Sequence, residues 1–281
     1  MKTAQTIQEA REFCRAHRVR NARIGLVPTM GALHQGHLAL VRAARQQADV
    51  VVVSIFVNPT QFGPNEDFAK YPRSFERDCE FLEREGVDIV FAPSVGEMYP
   101  SENATWVEVQ GLSERLCGKS RPGHFRGVAT VVAKLFHIIE PDAAFFGQKD
   151  AAQVAIIRRM VRDLNLRVTI EVCPIVREAD GLALSSRNAY LSPAERRSAL
   201  VLYRSLMRAK TMFEAGERSS EKLIAAGKQE FAGAPTLRLD YFEIVDPDTL
   251  ESQAVITHRA LVAVAAFVGT TRLIDNILLE S

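Results

Sequence analysis

The run Val50–Val57, VVVVSIFV, most constrains how this chain can fold. It is almost unbroken in apolar and β-branched side chains, so both faces of the strand it forms must be covered. A central strand of a parallel sheet meets that condition, because crossover helices coat both faces. Its surroundings agree. Ile24–Pro28 is a second short buried strand, and a helical pattern runs from about Gly36 to Ala48 between the two. Residues 6–18 place Ile7, Ala10 and Phe13 on one helical face, and helix 73–85, strand 88–92, helix Gly127–Ile139, strand Ala143–Phe146, helix Asp150–Leu164 and strand 167–172 follow. Such alternation is the signature of an α/β fold, a Rossmann-like doubly wound parallel sheet.

From about Val176 the pattern changes. A polar turn, Arg177–Arg187, leads into a helix at Pro193 capped by Ser192, and a second helix covers 219–232. Three strand-like runs close the chain: Leu239–Val245, Ala260–Val268 and Arg272–Leu279. Two domains are expected, 1–175 and a smaller α+β C-terminal unit, 176–281, which would act as a lid. With 35 basic against 34 acidic residues the net charge is +1, which offers nucleic acid or an anionic membrane no general attraction. The N-terminal stretch lacks the apolar core of a secretory signal, and no segment reaches the roughly 20 apolar residues that span a bilayer. Four scattered cysteines, Cys14, Cys79, Cys117 and Cys173, read as reduced structural thiols of a cytoplasmic protein.

Three segments carry chemistry. Pro28-Thr29-Met30-Gly31-Ala32-Leu33-His34-Gln35-Gly36-His37 lies where the first long strand hands over to a helix, the place where doubly wound sheets bind nucleotides. Gly31 and Gly36 allow close backbone approach, and the helix N-terminus suits phosphate. The segment is neither a Walker A loop nor GxGxxG. Two histidines three residues apart read equally as caps or core residues, or as ligands. In Phe145-Phe146-Gly147-Gln148-Lys149-Asp150 a lysine at a helix start can reach phosphate, and Asp150 suits an N-cap. Leu184-Ser185-Ser186-Arg187-Asn188 is by itself a polar turn. Asn58–Pro72, rich in Pro, Gly and Asn, is long for a βα loop and reads as a binding loop or lid.

Taken together, VPTMGALHQGH, VSIFVNPTQF, RPGHFRGV, FFGQKDAAQ and LALSSRNAYLS fall in order over residues 24–192. In this the chain resembles the pantothenate synthetases, the pantoate–β-alanine ligases of the HxGH nucleotidyltransferase superfamily. Gln35 and Gln148 stand where glutamate is usual or frequent. The resemblance implies condensation of pantoate with β-alanine through a pantoyl adenylate, with ATP and Mg²⁺ required and AMP and pyrophosphate released. It implies that His34, His37, Lys149 and Arg187 are catalytic. Pro28, Thr29, Met30, Gly31, Ala32, Leu33, Gly36, Gly147, Gln148, Asp150, Val176, Leu184, Ser185 and Ser186 would then line the nucleotide site, with Val176 near the adenine. The serines and Arg187 would hold the β- and γ-phosphates, as the second signature of class I synthetases does. Gln61 and Gln153, amides able both to donate and to accept, would bind pantoate. Asp78 would help to hold magnesium, His124 and Arg126 would neighbour the pocket or a dimer contact, and the enzyme would be a homodimer.

On this reading the pantoate carboxylate, with an ordinary pKa of about 4, attacks the α-phosphorus without a general base. It needs alignment and positive charge, for which His34, His37, Lys149, Arg187 and Mg²⁺ are the expected inventory. The alternatives are another HxGH nucleotidyltransferase, which would leave the nucleotide in its product, and a nucleotide-binding regulator without turnover.

Overall fold

The computed structural model describes residues 1–64, 66–100, 103–234 and 236–280; Asn65 of the expected lid and Ser281 of the C-terminal unit fall outside them. The first part alternates β1 (Lys2–Ala4), α1 (Ile7–Arg18), β2 (Ile24–Thr29), α2 (Gln35–Gln47), β3 (Val50–Ile55), α3 (Phe75–Arg84), β4 (Ile89–Phe91), the short α4 (Val95–Met98) and α5 (Cys117–Ser120), α6 (His124–Ile139), β5 (Ala143–Gly147), α7 (Ala151–Asp163) and β6 (Thr169–Cys173). The second part holds α8 (Pro193–Glu214), α9 (Ser220–Gln229), β7 (Leu237–Val245), β8 (Arg259–Val268) and β9 (Thr271–Glu280).

The first sheet has the order β1-β4-β3-β2-β5-β6, and each of its described pairings is parallel. Alternate residues of β3 explain its composition. Val50 and Val52 pack with α1, α6 and α7, whereas Val51 and Val53 pack with α2 and α3, so both faces are dry. Fully buried side chains such as Ile24 and Leu26 each stabilise the fold by about 1.5–3 kcal/mol relative to exposure. The chain leaves β2 toward β3 on one side and leaves β5 toward β6 on the other. The crevice above the carboxyl ends of β2 and β5 is therefore the switch point of the sheet, where open α/β folds place ligands.

β7, β8 and β9 form an antiparallel sheet in sequence order. One face packs with α8 and α9 through Leu202, Leu206, Val262, Val264 and Leu273. The other lays Val245, Leu261, Ala263 and Ile274 against the core that contains α6 and α7. One strand was not anticipated and one expectation is corrected. β1 has only three residues, KTA, too few for an apolar pattern to show. α6 begins at His124 and not at Gly127, because Gly123 in the left-handed region (φ 80°) turns the chain one helical turn earlier.

Candidate active site

The site starts from the end of β2. Thr29 Oγ1 donates to the Ser54 carbonyl at 2.8 Å and accepts from Gly31 N at 3.2 Å, tying the turn to β3. Gly31 (φ 79°) and Ala32 (φ 50°) are both left-handed, which aims successive amides in one direction. Those of Ala32 and Leu33 donate to Asp78 Oδ2 at 2.8 Å and Oδ1 at 2.9 Å. A Cβ on Gly31 would lie 3.1 Å from that carboxylate, a tight fit, and the left-handed backbone already favours glycine there. Asp78, only 1% exposed, also accepts from Ser74 Oγ at 3.1 Å. Its oxygens are engaged by the turn, and it is not on the cavity wall, a geometry that speaks for a scaffold role over the expected one at magnesium. Gly31, Ala32 and Leu33 likewise shape the turn without lining the cavity, and Leu33 is buried in the α2–α3 core.

The two histidines are both caps and wall residues. His34 is the N-cap of α2; its Nδ1 accepts from Gly36 N at 3.1 Å, and His37 Nδ1 accepts from His34 N at 3.3 Å. They form a capping box made of imidazoles, with ring centroids 4.1 Å apart. With each Nδ1 engaged as an acceptor, the neutral tautomer carries its proton on Nε2. Burial, with the Lys149 cation adding to it, pushes His34 down to about 4. Burial, then the neighbouring His34 and Lys149, takes His37 to about 3. At neutral pH both rings are therefore held as uncharged donors by the protein around them.

Across the switch point, β5 ends at Gly147 and a single 3₁₀ turn, Gln148–Asp150, leads into α7. Lys149 Nζ lies 3.7 Å from Asp150 Oδ2. Asp150 occupies the N-cap position without making a capping bond, so its carboxylate stays available to the cavity. Gln148, expected at the nucleotide, instead turns its amide to Asn276 of β9 (Nε2 to Oδ1, 3.0 Å) and is not on the cavity wall. Gln61 is 9% exposed; Asn58 Nδ2 donates to its Oε1 at 3.1 Å, which turns its Nε2 toward Met30 Sδ, 3.1 Å away. Asn58 also donates to the Gly127 carbonyl at 3.1 Å. A Cβ on Gly127 would stand 2.4 Å from the Thr60 carbonyl, so only glycine lets α6 touch this turn.

Residues 58–64 and 66–72 lie folded over the serine–arginine turn. Asp67 takes Arg187 in a two-pronged pair, Nε to Oδ2 and Nη2 to Oδ1, each 3.0 Å. Glu66 takes Arg121 Nε at 2.7 Å, Tyr190 Oη donates to the Lys70 carbonyl at 3.2 Å, and Tyr71 Oη is 3.4 Å from Ser186 Oγ. Phe62 packs edge-on against Phe68 and Tyr71. His124 Nε2 faces Arg121 Nη1 at 3.0 Å, so its Nδ1–H donates to the Gln61 carbonyl at 2.8 Å. Burial and the Arg121 charge hold this ring down at about 4. Arg126 sits elsewhere, over the half-exposed Trp106 ring at 5.2 Å.

These elements enclose a cavity of about 230 Å³ walled by Pro28, Thr29, Met30, His34, Gly36, His37, Gln61, Gly147, Lys149, Asp150, Gln153, Val176, Leu184, Ser185, Ser186 and Arg187. It adjoins a cleft of about 740 Å³ between the two parts of the chain; Lys149, Asp150, Gln153 and Arg187 border both. Asn58, Asp67, Tyr71 and Asn276 escaped the sequence reading. Only Asn58, beside Pro59 at a strand end, carried a local signal.

The family model described as pantoate-beta-alanine ligase matches residues 2–278. The pantothenate synthetase of Koribacter versatilis is 61% identical over 281 residues, covering 100% of this chain and 97% of that one. That of Moorella thermoacetica is 59% identical, covering 100% and 99%. The crystal structure of pantothenate synthetase from Thermus thermophilus superposes with a TM-score of 0.93 at 48% identity, covering 99% of each chain. The pantoate-beta-alanine ligase of Francisella tularensis, complexed with beta-gamma ATP and beta-alanine, gives 0.80 at 36% identity over 99% of this chain and 97% of that one.

Proposed function

The chain belongs to the pantoate-beta-alanine ligase family, and from that premise we propose how its cavity makes pantothenate from pantoate, β-alanine and ATP. The observation that carries the reading is the convergence of Lys149, Arg187, two imidazoles and two glutamines on one small cavity at the switch point of the sheet.

Pantoate occupies the end bordered by Gln61 and Gln153, whose amides suit a carboxylate and hydroxyls. ATP lies between the β2–α2 turn and Val176–Arg187, its adenine toward Val176. The ionised pantoate carboxylate attacks the α-phosphorus, and pyrophosphate leaves toward Lys149, Ser185, Ser186 and Arg187. The neutral imidazoles donate from Nε2 to the oxygens on which negative charge grows, and need no reorganisation to do so. For Arg187 to hold phosphate it must exchange the Asp67 carboxylate for a phosphate oxygen, a trade of like geometry. The amine of β-alanine then attacks the mixed anhydride, joins the acyl carbon and expels AMP. The folded-over residues 58–64 and 66–72 keep water from the adenylate.

Among the described residues no group of three or more His, Cys, Asp or Glu gathers to hold a metal. That fits Mg²⁺ arriving with ATP, since this ion commonly takes one or two carboxylates plus phosphate oxygens and waters. Asp150, on the cavity wall with 47% of its side chain exposed, would hold it. Bound there, the ion would neutralise triphosphate charge.

The remaining parts of the reading are a division of the chain near residue 175, a homodimer, and a cytoplasmic setting that keeps four unpaired thiols reduced. The exposed Trp106, stacked on Tyr99 and covered on one side by Arg126, supports a subunit contact, which sedimentation would test. The decisive experiment is incubation with ATP, Mg²⁺, pantoate and β-alanine. Pantothenate, AMP and pyrophosphate should appear together, with free AMP dependent on the amine. Nucleotide retained in the product would reject the reading.

A further inference from the structure

Strand β9 carries two consecutive polar residues, Asp275 and Asn276, each 3% exposed. Buried polar groups persist where they are satisfied, and these two are satisfied in different directions. Asp275 receives Arg177 through Nη1 at 2.7 Å and Nη2 at 2.9 Å. Asn276, on the opposite face of the strand, reaches the other part of the molecule. Its Nδ2 donates to the Gln148 carbonyl at 3.0 Å and to the Lys149 carbonyl at 2.9 Å, and its Oδ1 accepts from Gln148 Nε2 at 3.0 Å.

Those two carbonyls belong to the peptide planes on either side of the Lys149 Cα. Gripping both sets φ and ψ at that residue, and so the direction in which its side chain leaves the backbone. Asn276 is itself held: its carbonyl accepts from Arg177 Nη2 at 3.3 Å, and its N–H donates to Asp275 Oδ1 at 2.7 Å. A continuous set of bonds thus runs from Arg177 through β9 to the turn that presents Lys149.

We propose that Asn276 is a positioning residue for adenylate formation, a side chain of the C-terminal sheet that aims Lys149 into the cavity through the backbone on both sides of it. The C-terminal unit is then part of the phosphate-binding apparatus as well as its cover. This inference rests on the reading of Lys149 as a phosphate ligand.

The test is a double-mutant cycle on the full chain, with pyrophosphate release in ATP, Mg²⁺, pantoate and β-alanine as the readout. Displacing a catalytic group by about an ångström costs up to about 10²-fold, so Asn276→Ala should lower kcat by roughly 10- to 100-fold. The KM for pantoate should stay within about twofold, because the amides of Gln61 and Gln153 that would hold it are left in place. In a Lys149→Ala background the same substitution should cost less than about threefold, the non-additivity expected when one residue acts through another. An equal loss in both backgrounds, with Lys149→Ala itself impaired, overturns the positioning role alone. A fully active Lys149→Ala enzyme overturns the role of the lysine and this inference with it. Should Asn276→Ala fail to fold, Asn276→Ser keeps the strand polar but is too short to reach both carbonyls. It should show the same loss of kcat and the same dependence on Lys149, and parental activity would refute the proposal.

Discussion

Replacing Asp67 with asparagine should tighten ATP binding, although the position lies in a segment that covers the nucleotide site. In the structure Asp67 holds both prongs of Arg187 at 3.0 Å, and each side chain is 26% exposed. A two-pronged pair of charge-assisted hydrogen bonds at this degree of shielding is worth about 1–2 kcal/mol, above the range of exposed pairs and below that of dry ones. If the triphosphate must displace the carboxylate from Arg187, the full enzyme forgoes that amount on binding. Asparagine keeps the shape and one acceptor oxygen but gives up the charge. The dissociation constant for ATP should therefore fall by about 5- to 30-fold, at tenfold per 1.4 kcal/mol. Isothermal titration with ATP and Mg²⁺ in the absence of pantoate measures it directly. Arg187→Ala provides the opposing arm, because loss of the cation should weaken the same constant. Unchanged or weaker ATP binding to Asp67→Asn would refute the competition and leave the pair as an element of lid structure.

Other expectations are as direct. His37→Ala should slow pyrophosphate release by roughly 10²-fold, the usual loss when one transition-state donor is removed, and a fully active variant would exclude that role. Asp78→Ala strands the amides of Ala32 and Leu33 and should destabilise the fold by about 2–4 kcal/mol in urea titrations. If Asp78 is scaffold and not a ligand, the Mg²⁺ dependence of the surviving activity should not move. Stability should also fall steeply in acid. His34, His37 and His124 sit at about 4, 3 and 4 when folded, against 6.5 for a free imidazole. Below pH 6.5 the unfolded chain binds protons the native state refuses, so stability is lost as pH falls through 6.5 toward 4. The slope near pH 5 should correspond to uptake of about two to three protons from these rings on unfolding. A slope of less than one proton would show the rings charged in the native protein.

The fold was legible because its determinants are local and periodic. Val50–Val53 announces a strand covered on both faces, and the observed packing splits those valines between two cores. The 3.6-residue pattern of α2 and the Ser192–Pro193 start of α8 were equally plain, and the latter proves to be a full capping box with Glu195. What escaped was either too short for a period, as in β1, or governed by one backbone conformation, as at Gly123 ahead of α6.

The site was legible in a different sense. Motifs identified residue types at the ends of strands, but a side chain's task depends on what faces it, and those partners lie far away in sequence. Asp78 reads as a spare carboxylate until the amides of Ala32 and Leu33, 46 and 45 positions earlier, are seen to fill it. Gln148 reads as a nucleotide ligand until Asn276, 128 positions on, takes its amide. Arg187 reads as a free phosphate clamp until Asp67, 120 positions earlier, closes it. The imidazoles read as charges until burial in the finished cavity drains them of protons. In each case the short-range reading was sound about chemistry and silent about competition. Hydrogen-bond capacity is finite, so a donor or acceptor spent on scaffold is not available to substrate. A sequence can therefore nominate a cradle for phosphate; which of its members are free to act is decided by contacts that form only when the two parts of the chain meet.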